Sequence, residues 1–180
     1  MEEVKIEKAS AADADVLQQI GRQTFTETFA ASNDAGNLRE YLEEAFSREK
    51  LTAELGNPDS CFYFALIGDK VVGYLKLNTG IAQTERQDEE AVEIERIYVL
   101  TDYHGRKVGQ LLLNQAVRLA IGRQSPYVWL GVWEKNPRAI RFYQKNGFVA
   151  FDKHIFRLGA EVQTDIMMKK VLQEPKKLSV

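Results

Sequence analysis

Apolar and charged residues alternate from Val4 to Lys8, the period of a half-buried strand. The period then lengthens. Ser10 offers an N-cap, and Val16, Leu17, Ile20, Phe25 and Phe29 recur at helical spacing, predicting a helix over Ala11 to Phe29. The pattern breaks around Asn33 to Asn37, and Leu38, Tyr41, Leu42, Ala45 and Phe46 line a second helix. A short third helix is predicted from Arg48 to Leu55, stopped by Gly56-Asn57-Pro58. Phe62 to Ile67 and Val71 to Leu77 read as two strands joined by the turn Gly68-Asp69-Lys70. Thr79 to Glu90 is polar, acidic and without clear period, which predicts a mobile loop. Beyond it come a strand over Ala91 to Val99, a helix over Gly109 to Ile121, a strand over Tyr127 to Val132 and a helix over Pro137 to Asn146. Strand, helix, strand, helix in that order predicts a parallel crossover in the middle of an α/β sheet. Phe148 to Phe156 and Thr164 to Lys170 complete the sheet. The expected organisation is one domain over residues 1–171 and a frayed tail over 172–180.

Composition narrows the class. At 180 residues the chain suits one core, and 44% apolar with 28% charged residues fits a globular protein rather than a disordered or membrane-spanning one. The longest apolar runs, such as Cys61 to Ile67, are too short to cross a bilayer, and the charged start MEEVKIEKAS has no apolar leader, so a cytoplasmic protein with no membrane association is expected. A formal charge of −2 without a long basic block argues against direct nucleic-acid binding and suits a cationic small molecule better. Cys61 is the single cysteine, read as a small buried hydrophobe, and with only His104 and His154 no metal site is expected.

Two segments carry the candidate chemistry. From Tyr98 to Val117 an apolar strand runs into the small basic turn DYHGRK and then a helix, a geometry that aims unpaired backbone N–H groups at an anion such as a pyrophosphate. Alone, DYHGRK reads equally well as a solvated turn. From Trp133 to Phe148 a strand end meets an Asn-Pro helix start, then Phe142 and Tyr143, then the stop Asn146-Gly147.

Together these segments resemble the Gcn5-related N-acetyltransferase (GNAT) family. N-P-R-A-I-R-F-Y-Q-K-N-G-F follows the family's N-x-x-A-x-x-F-Y-x-x-x-G-F over its full spacing. The acetyl-CoA turn Q/R-x-x-G-x-G/A falls on His104 to Gly109, with two departures: His104 replaces Gln or Arg, and Lys107 replaces the first glycine. If that glycine needs positive φ, Lys107 alters the turn; Arg106 and Lys107 add charge beside the donors. The resemblance implies an acyl-CoA N-acyltransferase fold, a mixed α/β sheet of about seven strands with a splayed central pair, flanked by helices. It implies acetyl-CoA as cosubstrate, held at Ile97, Tyr98, Val99, His104, Gly105, Arg106, Lys107, Val108, Gly109, Gln110, Asn136, Tyr143 and Lys145. The main chain at Ile97, Tyr98 and Val99 is to pair with the pantetheine arm, and Tyr143 is to protonate the departing thiolate. Tyr143 also fits a plain core aromatic at helical spacing from Ala139 and Ile140.

Acetyl transfer to an aliphatic amine needs the neutral nitrogen, while the free amine is mostly protonated at neutral pH. Glu93-Ile94-Glu95-Arg96-Ile97 puts two carboxylates on one strand face at a period of two, a face shared with Ile97, with Arg96 turned the other way. Glu95 and Glu93 are therefore candidates for proton removal and substrate binding, although same-face glutamates also decorate ordinary half-exposed strands. Glu27, Trp133 and, more weakly, Asp88, Glu89 and Glu90 join the expected acceptor groove. Cys61 is discounted as a nucleophile because no histidine lies near it in sequence. TFTETF, YLEEAF, EIERIYV, WLGVWEKNPRAIRFYQKNGF and QTDIMMKK are similar to the PaiA-type spermidine/spermine acetyltransferases, which implies a polyamine acceptor. Trp129 and Trp133 fall on the strand facing the groove and also suit a structural role. The same machinery would serve a protein N-terminus, a lysine or an aminoglycoside, and an acetyl-CoA sensor with little catalysis is a further alternative. Family members often dimerise, which makes a homodimer a possible state.

Overall fold

A computed structural model describes residues 3–85 and 88–173 of the chain. The tail expected from position 172 lies, from position 174 onward, outside the described residues.

Seven strands form one sheet in the order β1-β2-β3-β4-β5-β7-β6: β1 Val4–Lys8, β2 Ser60–Ile67, β3 Lys70–Asn78, β4 Val92–Val99, β5 Tyr127–Trp133, β6 Val149–Leu158 and β7 Glu161–Val171. All neighbours are antiparallel except β4 and β5, the parallel pair at the centre. A crossover helix, α4 (Val108–Gly122), joins that pair, as the alternation of elements predicts. Helices α1 (Ala14–Phe29), α2 (Ala35–Ala45) and α3 (Arg48–Gly56) come before β2, and α5 (Pro137–Lys145) follows β5.

Local chemistry places the helix starts. The Ser10 hydroxyl accepts from the Ala12 N–H and its own N–H donates to Asp13, so a 3-10 turn over Ala11–Asp13 precedes α1. The long helix read from Ala11 is therefore two pieces. Asp34 caps α2 and Ser47 caps α3. Asn136 caps α5, accepting from the Ala139 N–H at 3.1 Å with Pro137 behind it.

Two apolar layers sandwich the sheet. Leu112, Leu113 and Ala116 of α4 pack with Leu75, Ile94, Leu130 and Phe148 on one face. Leu17, Ile20, Phe25 and Phe46 pack with Phe62, Phe64 and Tyr74 on the other. Gly21 lets α1 sit on the Phe46 ring; a Cβ there would lie 2.5 Å from it.

Strand β4 departs from the simple alternation. Lys76 pairs with Arg96 and the next residue, Leu77, pairs with Ile94, so Glu95 is the extra residue of a bulge. The bulge resets the phase of the strand. Ile94 and Ile97 both enter the α4 layer, while Arg96 stacks over the Phe46 ring at 4.6 Å on the α1 side. Glu93 and Glu95 do share a neighbour, Asn78, which donates to both. Arg96 joins them rather than facing away, and Ile97 is on the opposite face. A period-two reading cannot cross an inserted residue.

Candidate active site

The parallel pair is short. Val92, Glu93 and Ile94 face Val128, Trp129 and Leu130, and past that point the strands part. A groove of about 710 Å³ fills the opening. Its walls are Ile97, Tyr98 and Val99 of β4, Gly131, Val132 and Trp133 of β5, and Ala139, Phe142 and Tyr143 of α5. Glu27, Phe29 and Ser32 also line it, as do His104, Gly105, Lys107, Val108, Gly109 and Gln110 of the turn into α4.

That turn is shaped for an anion. Gly105 (φ 79°) and Lys107 (φ 64°, ψ 8°) are both left-handed, so the backbone curls before α4 starts at Val108. The position held by Lys107 does need positive φ, and a lysine adopts it at a cost of about 1–2 kcal/mol relative to glycine. Lys107 and Arg138 bring charge to the same end of the groove. His104 is locked between two partners. The Arg138 guanidinium can only donate, so it donates to Nδ1 at 2.8 Å, leaving Nε2 to donate to the Val99 carbonyl, also at 2.8 Å. The ring ties the turn to β4 on one side and to α5 on the other. Gln110 donates to Asn146 and so ties α4 to the end of α5.

The remaining cofactor candidates divide. Val108, Gly109, Gln110, Asn136 and Tyr143 line the groove with the main chain of β4. Among the described residues, Arg106 and Lys145 do not. Arg106 stacks over Tyr103 at 5.0 Å, and Lys145 is exposed on the last turn of α5.

Tyr143 is 7% exposed and edges against Phe142 and Phe148, with ring centroids 5.3 and 5.8 Å away. Burial pushes its phenol well above the usual tyrosine range, which keeps it protonated at neutral pH. Tyr98 is raised for the same reason and stacks on Tyr74.

Charged side chains gather around Glu95. Glu95 lines the groove, but Lys76 Nζ stands 2.5 Å from its Oε2 and Asn78 donates to the same oxygen at 2.8 Å. Lys76 also reaches Glu54 at 3.2 Å, and Arg96 lies 3.6 Å from Glu54 and 3.9 Å from Glu95 Oε1. Two acids and two bases cancel. Desolvation works against the Glu95 carboxylate, but the charges of Arg96 and Lys76 and the hydrogen bonds from Lys76 and Asn78 outweigh it and hold the carboxyl below its ordinary range. Glu93 is the opposite case. Burial raises it, only partly offset by donors from Thr84 and Asn78, and it does not line the groove among the described residues.

Glu27 accepts from the Thr101 N–H at 2.8 Å and hydroxyl at 3.0 Å and from Gln23, so α1 is tied to the end of β4. These bonds overcome desolvation and lower its carboxyl. Trp133 packs on Phe29 at 5.5 Å and faces the groove. Trp129 is fully buried away from it, with its indole N–H donating to Gln83 at 2.7 Å. Asp88 caps the turn at Glu90 and, like Glu89 and Glu90, lies outside the groove lining.

Gln83 bonds to Trp129, Thr84 to Glu93, and Glu85 stands beside His154 within the segment expected to be a mobile loop, of which residues 86–87 lie outside the described residues. Its polar residues bond to buried groups of the sheet, which composition does not reveal. His154, weighed in the sequence only as a metal ligand, lies on β6, and its partners are distant along the chain. Asp165 on β7 and Glu85 stand 3.3 and 3.2 Å from its two nitrogens.

Residues 23–148 match the Acetyltransferase (GNAT) family. The chain belongs to the GNAT family. It is 38% identical over 169 residues to an uncharacterised N-acetyltransferase of the pepI 3′ region of Lactobacillus delbrueckii, covering 94% of this chain and 98% of that protein. It is 27% identical over 153 residues to the spermidine N(1)-acetyltransferase of Thermoplasma acidophilum, covering 83% and 90%. Among solved structures it is similar to the PaiA N-acetyltransferase of Thermoplasma acidophilum in complex with coenzyme A, with TM-score 0.77, 24% identity and coverage of 94% and 99%. The protein is thus an acetyl-CoA-dependent N-acetyltransferase, and the fold expected from the two motifs is the one observed.

No helix of the described residues is long and apolar enough to cross a membrane. Nor do the described residues contain a group of three or more His, Cys, Asp and Glu placed to hold a metal ion.

Proposed function

We propose that this N-acetyltransferase transfers acetyl from acetyl-CoA to a primary amine of a polyamine, by direct attack with both substrates bound. The observation that carries the reading is one groove at the β4–β5 fork whose lining includes the basic turn together with Glu27, Glu95 and Trp133, which leaves room for a cofactor and an acceptor to meet. The residues present fit acetyl-CoA: the edge of β4 that β5 leaves past Ile94, left-handed backbone at the turn, and Lys107 and Arg138 for phosphates. The similarity to a spermidine N(1)-acetyltransferase supports the acceptor class.

In this reading Tyr143 donates a proton to the thiolate sulfur as the C–S bond breaks, a task that suits a phenol kept protonated by burial. Glu95, kept ionised by Lys76 and Arg96, and Glu93 behind it supply negative charge near the acceptor ammonium. Glu27 and Trp133 line the same groove and are the further residues proposed to meet the acceptor.

Thiol release from acetyl-CoA, measured with spermidine, spermine, a lysine peptide, an amino-terminal peptide and an aminoglycoside, tests the proposal. Saturable turnover on polyamines, with kcat/KM above the other amines, is the expected outcome. Turnover confined to peptides or aminoglycosides overturns the acceptor assignment and leaves the family chemistry intact.

A further inference from the structure

The histidine of the cofactor turn has both ring nitrogens engaged, one by β4 and one by α5, and both contacts lie on the groove wall. We propose that His104 is a positioning residue for acetyl-CoA: as a neutral imidazole it closes off the open edge of β4 and holds the Arg138 guanidinium toward the cofactor phosphates, and it releases the arginine when it gains a second proton. This role rests on the acetyl-CoA site proposed above and not on which amine accepts the acetyl group.

Val99 is the last residue of β4, beyond the point where β5 leaves the strand. A trans peptide turns its carbonyl and the following N–H to opposite sides. The Leu100 N–H goes to the Val72 carbonyl of β3 at 2.9 Å, so the Val99 carbonyl points away from β3, toward the edge that β5 has vacated. His104 covers it there, with Nε2 2.8 Å from the oxygen. The stretch of β4 open to an extended arm therefore ends at a carbonyl that the protein itself engages. Directly beyond stand Gly105 and Lys107, where the backbone is left-handed. His104 marks the junction between the edge that can pair with an arm and the turn that can meet an anion.

On its other side the ring meets α5, with Arg138 Nη1 2.8 Å from Nδ1. A guanidinium has donors and no acceptor, so Nδ1 must present its lone pair and the ring proton must sit on Nε2, where the Val99 carbonyl accepts it. Both contacts demand the same neutral tautomer. A second proton can go only to Nδ1. It sets N–H against N–H and cation against cation at the Arg138 contact, and leaves the bond to Val99 in place.

The charged groups facing the ring come from two helices: Glu27 of α1, whose carboxylate feels the charge of the ring, and Arg138 of α5. Asp102, Arg106 and Lys107 flank it in its own turn. Glu27 is fixed beside the ring by the Thr101 N–H and hydroxyl, so it offsets the charge of an imidazolium. Among the described residues no carboxylate pairs with Arg138, and its planar fork suits a phosphate better than a single ring N–H does. Exchanging the arginine for a protonated ring is therefore a loss to the cofactor. A glutamine, one of the residues of the family pattern at this position, carries one donor and one acceptor group as the neutral ring does, but has no proton to gain.

The test is coenzyme A affinity by calorimetry at about pH 8 and about pH 5.5, in the wild type, His104→Gln, His104→Ala, Arg138→Ala and the double alanine variant. Coenzyme A carries a phosphate monoester that titrates in the same range, so the quantity read at each pH is the wild-type Kd divided by the His104→Gln Kd. That ratio should rise by about fivefold from the higher pH to the lower, the scale of one lost charge-assisted contact at an exposed site. At the higher pH His104→Ala should weaken coenzyme A by about tenfold, and His104→Gln should recover most of that affinity. The loss should fall on KM for acetyl-CoA rather than on kcat. In the Arg138→Ala background, His104→Ala should cost less than it does alone, because the two side chains act as a unit. A ratio that stays flat or falls on acidification overturns the proposal, as does a His104→Ala loss undiminished by Arg138→Ala. Failure of the wild type to bind coenzyme A at either pH ends this role and the acetyl-CoA site together, whereas polyamines failing in the amine panel removes only the acceptor class.

Discussion

The two ends of the groove are made of different material. At the cofactor end the groups aimed into the cleft are largely backbone: the freed main chain of β4 and the left-handed turn at Gly105 and Lys107. On the side proposed for the acceptor, Glu95 is the member of a buried, charge-balanced cluster of Glu54, Lys76, Glu95 and Arg96 that reaches the groove. Backbone recognition survives substitution because every residue has an N–H and a carbonyl. A buried charge cluster does not, since removing one member leaves another uncompensated. Substitutions that alter chemistry should therefore be separable from those that alter stability, according to the end they touch.

The sharpest break in that comparison comes from Tyr143→Phe, which takes one oxygen from the cofactor end. Turnover should drop by about 10²-fold, the scale of a lost general acid. Coenzyme A affinity, measured by calorimetry, and the urea midpoint should stay near wild type. An unchanged turnover number removes Tyr143 from the acid role.

Lys76→Met works the opposite end. It strands Glu95 and Glu54 against Arg96 alone, and the loss of one partner from a buried pair should cost about 3–5 kcal/mol in urea unfolding, less here because the Glu95 side chain is 21% exposed. Adding Glu95→Gln to Lys76→Met should recover much of that stability. A pair of variants that add independently would show that the cluster is not a unit.

Lys107→Gly sharpens the comparison by the smallest step. Relief of the left-handed strain should raise stability by about 1 kcal/mol. The loss of one cation should weaken coenzyme A binding and flatten its salt dependence. A stability decrease would mean that the lysine side chain, not the strain, dominates at this position.

Sequence revealed the two ends unequally for the same reason. Helix starts at Ser10 and Asn136, the strand-turn-helix before Gly109 and the N-P-R-A-I-R-F-Y run are local, so spacing alone carries them. Seven strands, their number and the parallel crossover followed from hydrophobic period and element order. What stayed hidden depends on pairing between distant segments. The Glu95 bulge exists only relative to Lys76 and Leu77, and it placed Arg96 and Ile97 on the faces opposite to those read from the chain. Lys76 looks like any strand lysine until Glu54 and Glu95 arrive. His154 is 11 positions from Asp165 and far from Glu85, and nothing in its neighbourhood marks it. Gln83 and Thr84 show the same limit, because their partners Trp129 and Glu93 belong to the strands.

The extra residue of β4 has one more implication. Ile94 pairs with Leu77 and Arg96 with Lys76, so the partners on β3 are adjacent while those on β4 are not. A chain lacking Glu95 could keep every other rung of that ladder, and the resulting strand would run straighter, since a bulge adds bend and twist. Regularity and usefulness are therefore opposed at this point: the most orderly version of the sheet is one without Glu95 at the cleft. On the proposed reading, the carboxylate that meets the acceptor is carried by a single surplus residue that the pairing of β3 and β4 does not require.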